Sequence, residues 1–294
     1  MGMDNDMLAC IEALAKNRIQ DAKEYAICCC VNDTTKKNAD KTAYYKKLLE
    51  NGSVKLFELP PRLNGLIKMQ DVSDFNENRY FLGKQQRDLF EKIDRDVTTT
   101  TKLLEYGIPY MNSSLIYGEP GTGKTEFAKY TAYKLGLPYA YLNFSYLIES
   151  YLGKTAQNLQ RVFDYCKGQK CVLMLDEIDC IGLSRGNDMG ADGELGRTTI
   201  ALMQALDNLV DGQIVIAATN RQDRLDKALL RRFQRHVQFK RYDRDEELQM
   251  IKTYMESVDT SFLTDEILAY ADSQHTQAET VKFLIEKIVE RVAK

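Results

Sequence analysis

The chain has 294 residues, 44% of them hydrophobic and 28% charged, with a formal net charge of -3 and a pI near 5.7. That length can bury the cores of two or so compact units, the composition is that of an ordinary globular protein, and the mild acidity excludes bulk attraction to nucleic acid or an anionic membrane. No apolar run approaches the roughly 20 residues of a bilayer span, and the N-terminus interleaves charged with apolar residues, unlike a secretory leader, so a cytoplasmic location is expected.

In chain order, apolar residues recur at helical spacing from Asp4 to Val31 (Met7, Ile11, Leu14, Ile19, Ala22, Tyr25, Ala26, Cys29), which predicts one amphipathic helix. A second helix is predicted from Asp40 to Glu50, stopped by Asn51-Gly52. Together, residues 1–52 make a helical N-terminal element, either packing against the rest of the chain or docking a partner. Seven cysteines, an odd number with no leader, read as reduced thiols. The Cys28-Cys29-Cys30 run points in different directions on a helix and lacks the spacing of a metal site. Pro60-Pro61 and the polar stretch Gln70 to Asn78 break regular structure, so residues 53–71 are expected to be a linker.

Ser114-Leu115-Ile116-Tyr117 then reads as a buried strand and Glu126 to Leu135 as a helix. Between them, Gly118-Glu119-Pro120-Gly121-Thr122-Gly123-Lys124-Thr125 fits G-x-x-x-x-G-K-[ST] in strand-loop-helix context. Such a loop turns its backbone N–H groups onto phosphate oxygens at a helix N-terminus. Gly118, Pro120, Gly121, Thr122 and Gly123 would shape it, Lys124 would supply charge to the outer phosphates, and the Thr125 hydroxyl would ligate Mg²⁺.

Downstream, strand and helix signals alternate: strands at Tyr139 to Asn143, Cys171 to Asp176, Gln213 to Thr219 and His236 to Phe239, and helices through Gln157 to Tyr165 and Thr198 to Leu209. Continuous apolar strands between amphipathic helices predict an α/β fold, a parallel sheet covered on both faces with nucleotide at the C-terminal strand ends. The strand Val172-Leu173-Met174-Leu175 ends in Asp176-Glu177, a Walker B pair: Asp176 for the Mg²⁺ shell, Glu177 to polarise the attacking water. Beyond Arg241 strand signals vanish, and three helices are predicted at Asp243 to Val258, Thr264 to Ala271 and Gln277 to Ala293.

In the order of these elements the chain resembles the AAA+ ATPases from about Val72 onward. The resemblance implies a nucleotide-binding α/β domain over 72–240 and a helical lid over 241–294, with ATP and Mg²⁺ as cofactors. Val215 to Arg221 is similar to the sensor-1 strand, where Asn220 would orient the lytic water beside Glu177. Leu225 to Phe233 resembles the arginine-finger segment in the compact form of the katanin- and spastin-like group. Arg231 and Arg232 would then reach a neighbouring subunit's ATP, which implies a homo-oligomeric ring, six subunits being the family's usual number.

Ser150 to Lys154 stands at the place of the first pore loop, where Tyr151 and Leu152 would grip an extended polypeptide. Arg185 to Gly196 stands at the second. One departure falls at Thr276-Gln277-Ala278-Glu279-Thr280, which keeps Ala278-Glu279 of the family's Gly-Ala-Asp pattern and carries no sensor-2 arginine. The activity implied is ATP hydrolysis coupled to remodelling, unfolding or disassembly of a protein client. A nucleic-acid motor or loader is disfavoured by the aromatic pore loop and the acidity. A non-motor nucleotide-dependent scaffold is disfavoured by Glu177, Asn220 and Arg231.

Overall fold

In a computed structural model, the structure describes residues 3–16, 18–35, 38, 42–43, 45–46, 49, 59–60, 63–108, 110–150, 154–167, 171–181, 191–209, 212–272 and 274–293. The helix expected from Asp4 to Val31 is two: α1 (Asn5–Ala15), capped by Asp4 accepting from the Met7 amide, and α2 (Ile19–Asn32). They form a hairpin closed by Asn32 Nδ2 donating to Asp6 Oδ2 at 2.8 Å. A reversal without glycine or proline leaves each arm's 3.6-residue period intact, so periodicity alone reads through it. The seam is built from small residues, Ala13 and Ala22, whereas Met7, Ile11 and Leu14 are 46–48% exposed. The helix expected over Asp40 to Glu50 lies largely outside the described residues.

The expected linker belongs partly to the fold. Leu63, Leu66 and Ile67 are buried, and β1 (Lys68–Gln70) pairs antiparallel with β3 (Tyr139–Asn143), Met69 opposite Ala140. Three residues are too short for an alternating pattern to announce a strand. The remaining strands are β2 (Asn112–Tyr117), β4 (Cys171–Asp176), β5 (Gln213–Thr219) and β6 (Arg235–Gln238), giving a six-stranded sheet in the order β1-β3-β4-β5-β2-β6. Every pairing except β1 with β3 is parallel.

Neighbouring residues on the central strands feed opposite faces, as period two requires. Leu115, Leu173 and Val215 pack with α6 (Thr155–Lys167) and α7 (Ala191–Asp207) through Leu159, Phe163, Leu202 and Leu206. Ile116, Met174 and Ile216 pack with α3 (Lys84–Glu105) and α4 (Lys124–Lys134) through Leu89, Ile93 and Phe127. The 22-residue α3 had no counterpart in the sequence reading. Its buried positions, Gln86, Leu89, Ile93, Asp96 and Thr100, are polar at three of five places. A short α5 (Phe144–Ser150) follows β3 directly.

After the one-turn α8 (Lys227–Leu230) and β6, the chain becomes helical: α9 (Arg244–Glu256), α10 (Asp265–Leu268) and α11 (Gln277–Val292). The helix expected over Thr264 to Ala271 is only the single turn of α10. Ile251, Met255, Ile267 and Leu284 give these helices a core of their own. Among the described residues no helix is long and apolar enough to cross a membrane.

Candidate nucleotide site

β2 delivers the chain to Gly118 beside β6. At Gly118, φ is 149° and a Cβ would lie 2.0 Å from the Phe239 carbonyl oxygen, so only glycine passes. The loop then curls through Gly121 and Gly123, both with φ of 81°, and releases α4 at Lys124. Lys124 is almost buried and its ammonium donates to the carbonyls of Gly118 at 2.9 Å and Glu119 at 2.8 Å. Burial pushes its pKa down, and the carboxylates of Asp176 and Asp179 pull it back up.

The parallel register sets Asn143, the last residue of β3, beside Asp176, the last of β4. Asp176 is enclosed by donors: Thr125 Oγ1 and Tyr141 OH both donate to Oδ2 at 3.2 Å, and the Glu177 amide to Oδ1 at 3.0 Å. Burial raises its pKa, and the hydroxyl hydrogen bonds counter this. Glu177 stands at φ 57° and ψ 40°, left-handed backbone and the one non-glycine residue with positive φ among the described residues. Such a conformation costs on the order of 1–3 kcal/mol and persists where surrounding structure imposes it. Its carboxylate Oε2 accepts from Asn143 Nδ2 at 3.0 Å, and Asn143 Oδ1 accepts from the Tyr146 amide at 3.0 Å, fixing the amide's orientation. Asn220 follows β5, whose terminal Thr219 donates to Asp179 Oδ1 at 2.6 Å.

These elements open on one cavity of about 870 Å³, within the range of small-molecule and cofactor sites. Pro120 to Thr125, Asp176, Glu177 and Asn220 line one side. Tyr80, Phe81, Tyr242, Met250, Val281 and Ile285 supply an aromatic and aliphatic wall. The start of α11 closes directly on the loop: the Ala278 amide donates to the Gly121 carbonyl at 3.0 Å, and a Cβ on Gly121 would stand 2.9 Å from Thr276 Oγ1. In the departing segment Thr276 to Thr280, Glu279 serves as the reciprocal cap of α11, its Oε2 accepting from the Thr276 amide at 2.7 Å.

The residues present fit a magnesium–triphosphate group. A hydroxyl and a carboxylate 3.2 Å apart are hard oxygen donors, and the Lys124 ammonium rests on carbonyls that phosphate oxygens can replace. Thus Lys124, Thr125, Asp176, Glu177 and Asn220 meet at the C-terminal end of the sheet.

The two arginines separate. Arg231, the C-cap of α8, is exposed, with no side-chain partner among the described residues. Arg232 turns inward to Asp207 at 3.3 Å and the Ala228 carbonyl at 2.6 Å. Tyr151 and Leu152 lie outside the described residues, as does the first part of the segment from Arg185 to Gly196, whose remainder begins α7. Sequence reasoning missed Asn143 and Tyr141. Their signal was positional, alternate residues of a strand paired in parallel with the one ending in Asp176-Glu177.

A glycine-rich loop opening a helix beside a strand-end acidic pair on a parallel sheet defines a P-loop nucleoside-triphosphatase fold. Residues 114–241 match the model of the ATPase family associated with various cellular activities (AAA), and by this domain the chain belongs to the AAA ATPases. It is 32% identical over 205 residues to an uncharacterised AAA family ATPase of Sinorhizobium fredii, covering 67% of this chain and 62% of the relative. It is 33% identical over 183 residues to the proteasome-activating nucleotidase of Methanococcus maripaludis, covering 60% of this chain and 45% of the relative. A 26S proteasome regulatory subunit 7 homolog of Arabidopsis thaliana is 33% identical over 206 residues, covering 67% of this chain and 44% of the relative. The chain thus spans between about two fifths and three fifths of the length of these curated relatives.

Proposed function

We propose that the chain binds ATP with Mg²⁺ and hydrolyses it as a homo-oligomeric ring, using the cycle to remodel or unfold a protein client. The observation that carries this reading is the convergence of Lys124, Thr125, Asp176, Glu177 and Asn220 on one cavity closed by α11. Bound Mg²⁺ would supply positive charge to offset that of the phosphates. Thr125 and Asp176 would hold it, Lys124 would bind the outer phosphates, and Glu177 with Asn220 would orient and polarise the attacking water. In this reading residues 72–240 with the preceding β1 form the nucleotide module, 241–294 the lid, and 1–52 an accessory element. The protein works in the cytoplasm, neither spanning a membrane nor acting on nucleic acid, and six subunits close the ring. The likeness to a proteasome-activating nucleotidase and a proteasome regulatory subunit supports a protein client.

Arg231 completes the neighbour's site in this reading. Mixing Arg231→Ala subunits with Lys124→Ala subunits should therefore restore part of the ATPase that each lacks alone, because an intact finger then meets an intact loop only across an interface. Absence of recovery in rings shown to be mixed would remove the trans arrangement. For client handling, Tyr151→Ala should abolish unfolding of a client protein and spare basal hydrolysis, whereas Tyr151→Phe should be mild because an aromatic face does the gripping. Full unfolding by Tyr151→Ala would overturn the pore mechanism.

A further inference from the structure

We propose that Arg235 is the positioning residue for the arginine finger, acting through a buried ion pair with Asp96. The strand that carries a subunit's own phosphate loop thereby also sets how its finger is presented to the neighbour. The proposal rests on the trans reading of Arg231 given above.

Arg235 lies on β6, four residues after Arg231. Its guanidinium is divided among three acceptors: Nη1 donates to Asp96 Oδ2 at 2.6 Å, Nη2 to Asn112 Oδ1 at 2.5 Å and Nε to Ser114 Oγ at 3.1 Å. Asp96 Oδ2 also accepts from Tyr110 OH at 2.9 Å, and Asn112 Nδ2 donates to the Ile93 carbonyl at 2.9 Å. The Asp96 and Arg235 side chains are 9% and 12% exposed. Opposite charges so deeply placed contribute little net stability compared with an apolar pair, and removing one partner strands the other. Their attested use is to impose one geometry.

The geometry imposed here is that of the finger loop. Ser113 Oγ donates to the Arg232 carbonyl at 3.3 Å and accepts from the Gln234 amide at 3.2 Å, gripping the backbone on both sides of Phe233. Arg232 is held on Asp207, which leaves Arg231 as the arginine of this segment projecting free among the described residues. Asn112, Ser113 and Ser114, the three anchors, are consecutive residues of β2, and β2 runs into Gly118. Finger loop and phosphate loop therefore hang from opposite ends of one buried strand. A misplacement of about 1 Å at a reacting centre can cost on the order of 10²-fold in rate, so losing this anchor should disable the finger without disabling the loop.

Asp96→Asn, which keeps the shape and deletes the charge, is expected to lower ring ATPase about tenfold or more while leaving the affinity of its own site for ATP within about twofold, since the phosphate loop is untouched. Its behaviour in mixtures should be one-sided. Combined with Lys124→Ala it should regain activity, because its intact loop meets a properly held finger; combined with Arg231→Ala it should not, because neither subunit offers one. A role in fold stability alone would make both mixtures fail, and an idle ion pair would leave Asp96→Asn fully active; either result overturns the proposal. Recovery in both mixtures would do the same. If Asp96→Asn fails to fold, Tyr110→Phe, which removes one hydrogen bond to the same carboxylate oxygen, should show the one-sided pattern at smaller amplitude, and a symmetric pattern there would be equally fatal. Arg231→Ala with Lys124→Ala is the separate control: its failure removes the trans reading itself.

Discussion

Lys124→Ala should reduce ATP affinity by at least about 100-fold, or ~3 kcal/mol, and with it all turnover. The ammonium lies within 3 Å of two loop carbonyls and is the mobile cation at the mouth of α4. Burial lowers its pKa, and the carboxylates of Asp176 and Asp179 oppose that shift. A triphosphate entering the loop exchanges those carbonyl contacts for charge-assisted hydrogen bonds, the stronger kind. Alanine leaves the backbone amides to hold several negative charges alone. Because Gly118 and Gly121 fix the loop's path through their own close contacts with Phe239 and Thr276, the fold should survive, and thermal melting should move little. Titration with a fluorescent ATP analogue measures the effect. An affinity within threefold of the parent would mean that the phosphates sit elsewhere.

How much of this was legible in the sequence depends on how local each signal is. The phosphate loop and the Asp176-Glu177 pair are contiguous, and the strands Cys171–Asp176 and Gln213–Thr219 fall at the limits their apolar runs predict. Strands buried on both faces leave little ambiguity about where they stop. What escaped is non-local. Asn143 meets Glu177 only because two parallel strands are paired in a particular register. Glu177's left-handed backbone cannot be read from a glutamate. The seat of α11 on Gly121 joins residues far apart in the chain, and the division among Arg231, Arg232 and Arg235 depends on Asp207 and Asp96, carboxylates on separate helices. The α1–α2 reversal defeated periodicity for the opposite reason: its local pattern is ordinary and misleads.

Glu177→Gln should keep ATP binding and lose turnover by about 10² to 10⁴, the scale of a positioned general base. The substitution is nearly isosteric, so the strained backbone at φ 57° is no costlier than before, and Asn143 Nδ2 can still donate to the remaining carbonyl oxygen. What disappears is the negative charge and the proton-accepting oxygen facing the cavity. Lys124, Thr125 and Asp176 are untouched, so Mg²⁺-dependent affinity for ATP should match the parent within a few fold, and the protein should accumulate in the ATP-bound state. Single-turnover measurements separate chemistry from product release, and ATP titration supplies the affinity. Turnover within threefold of the parent would transfer the base to another group. Loss of affinity together with rate would mean that Glu177 holds the loop and strand ends in place and leaves the water alone. The αL backbone makes that outcome testable, because Glu177→Gly should relax the strain, keep binding and still fail in hydrolysis if the carboxylate is the chemical group.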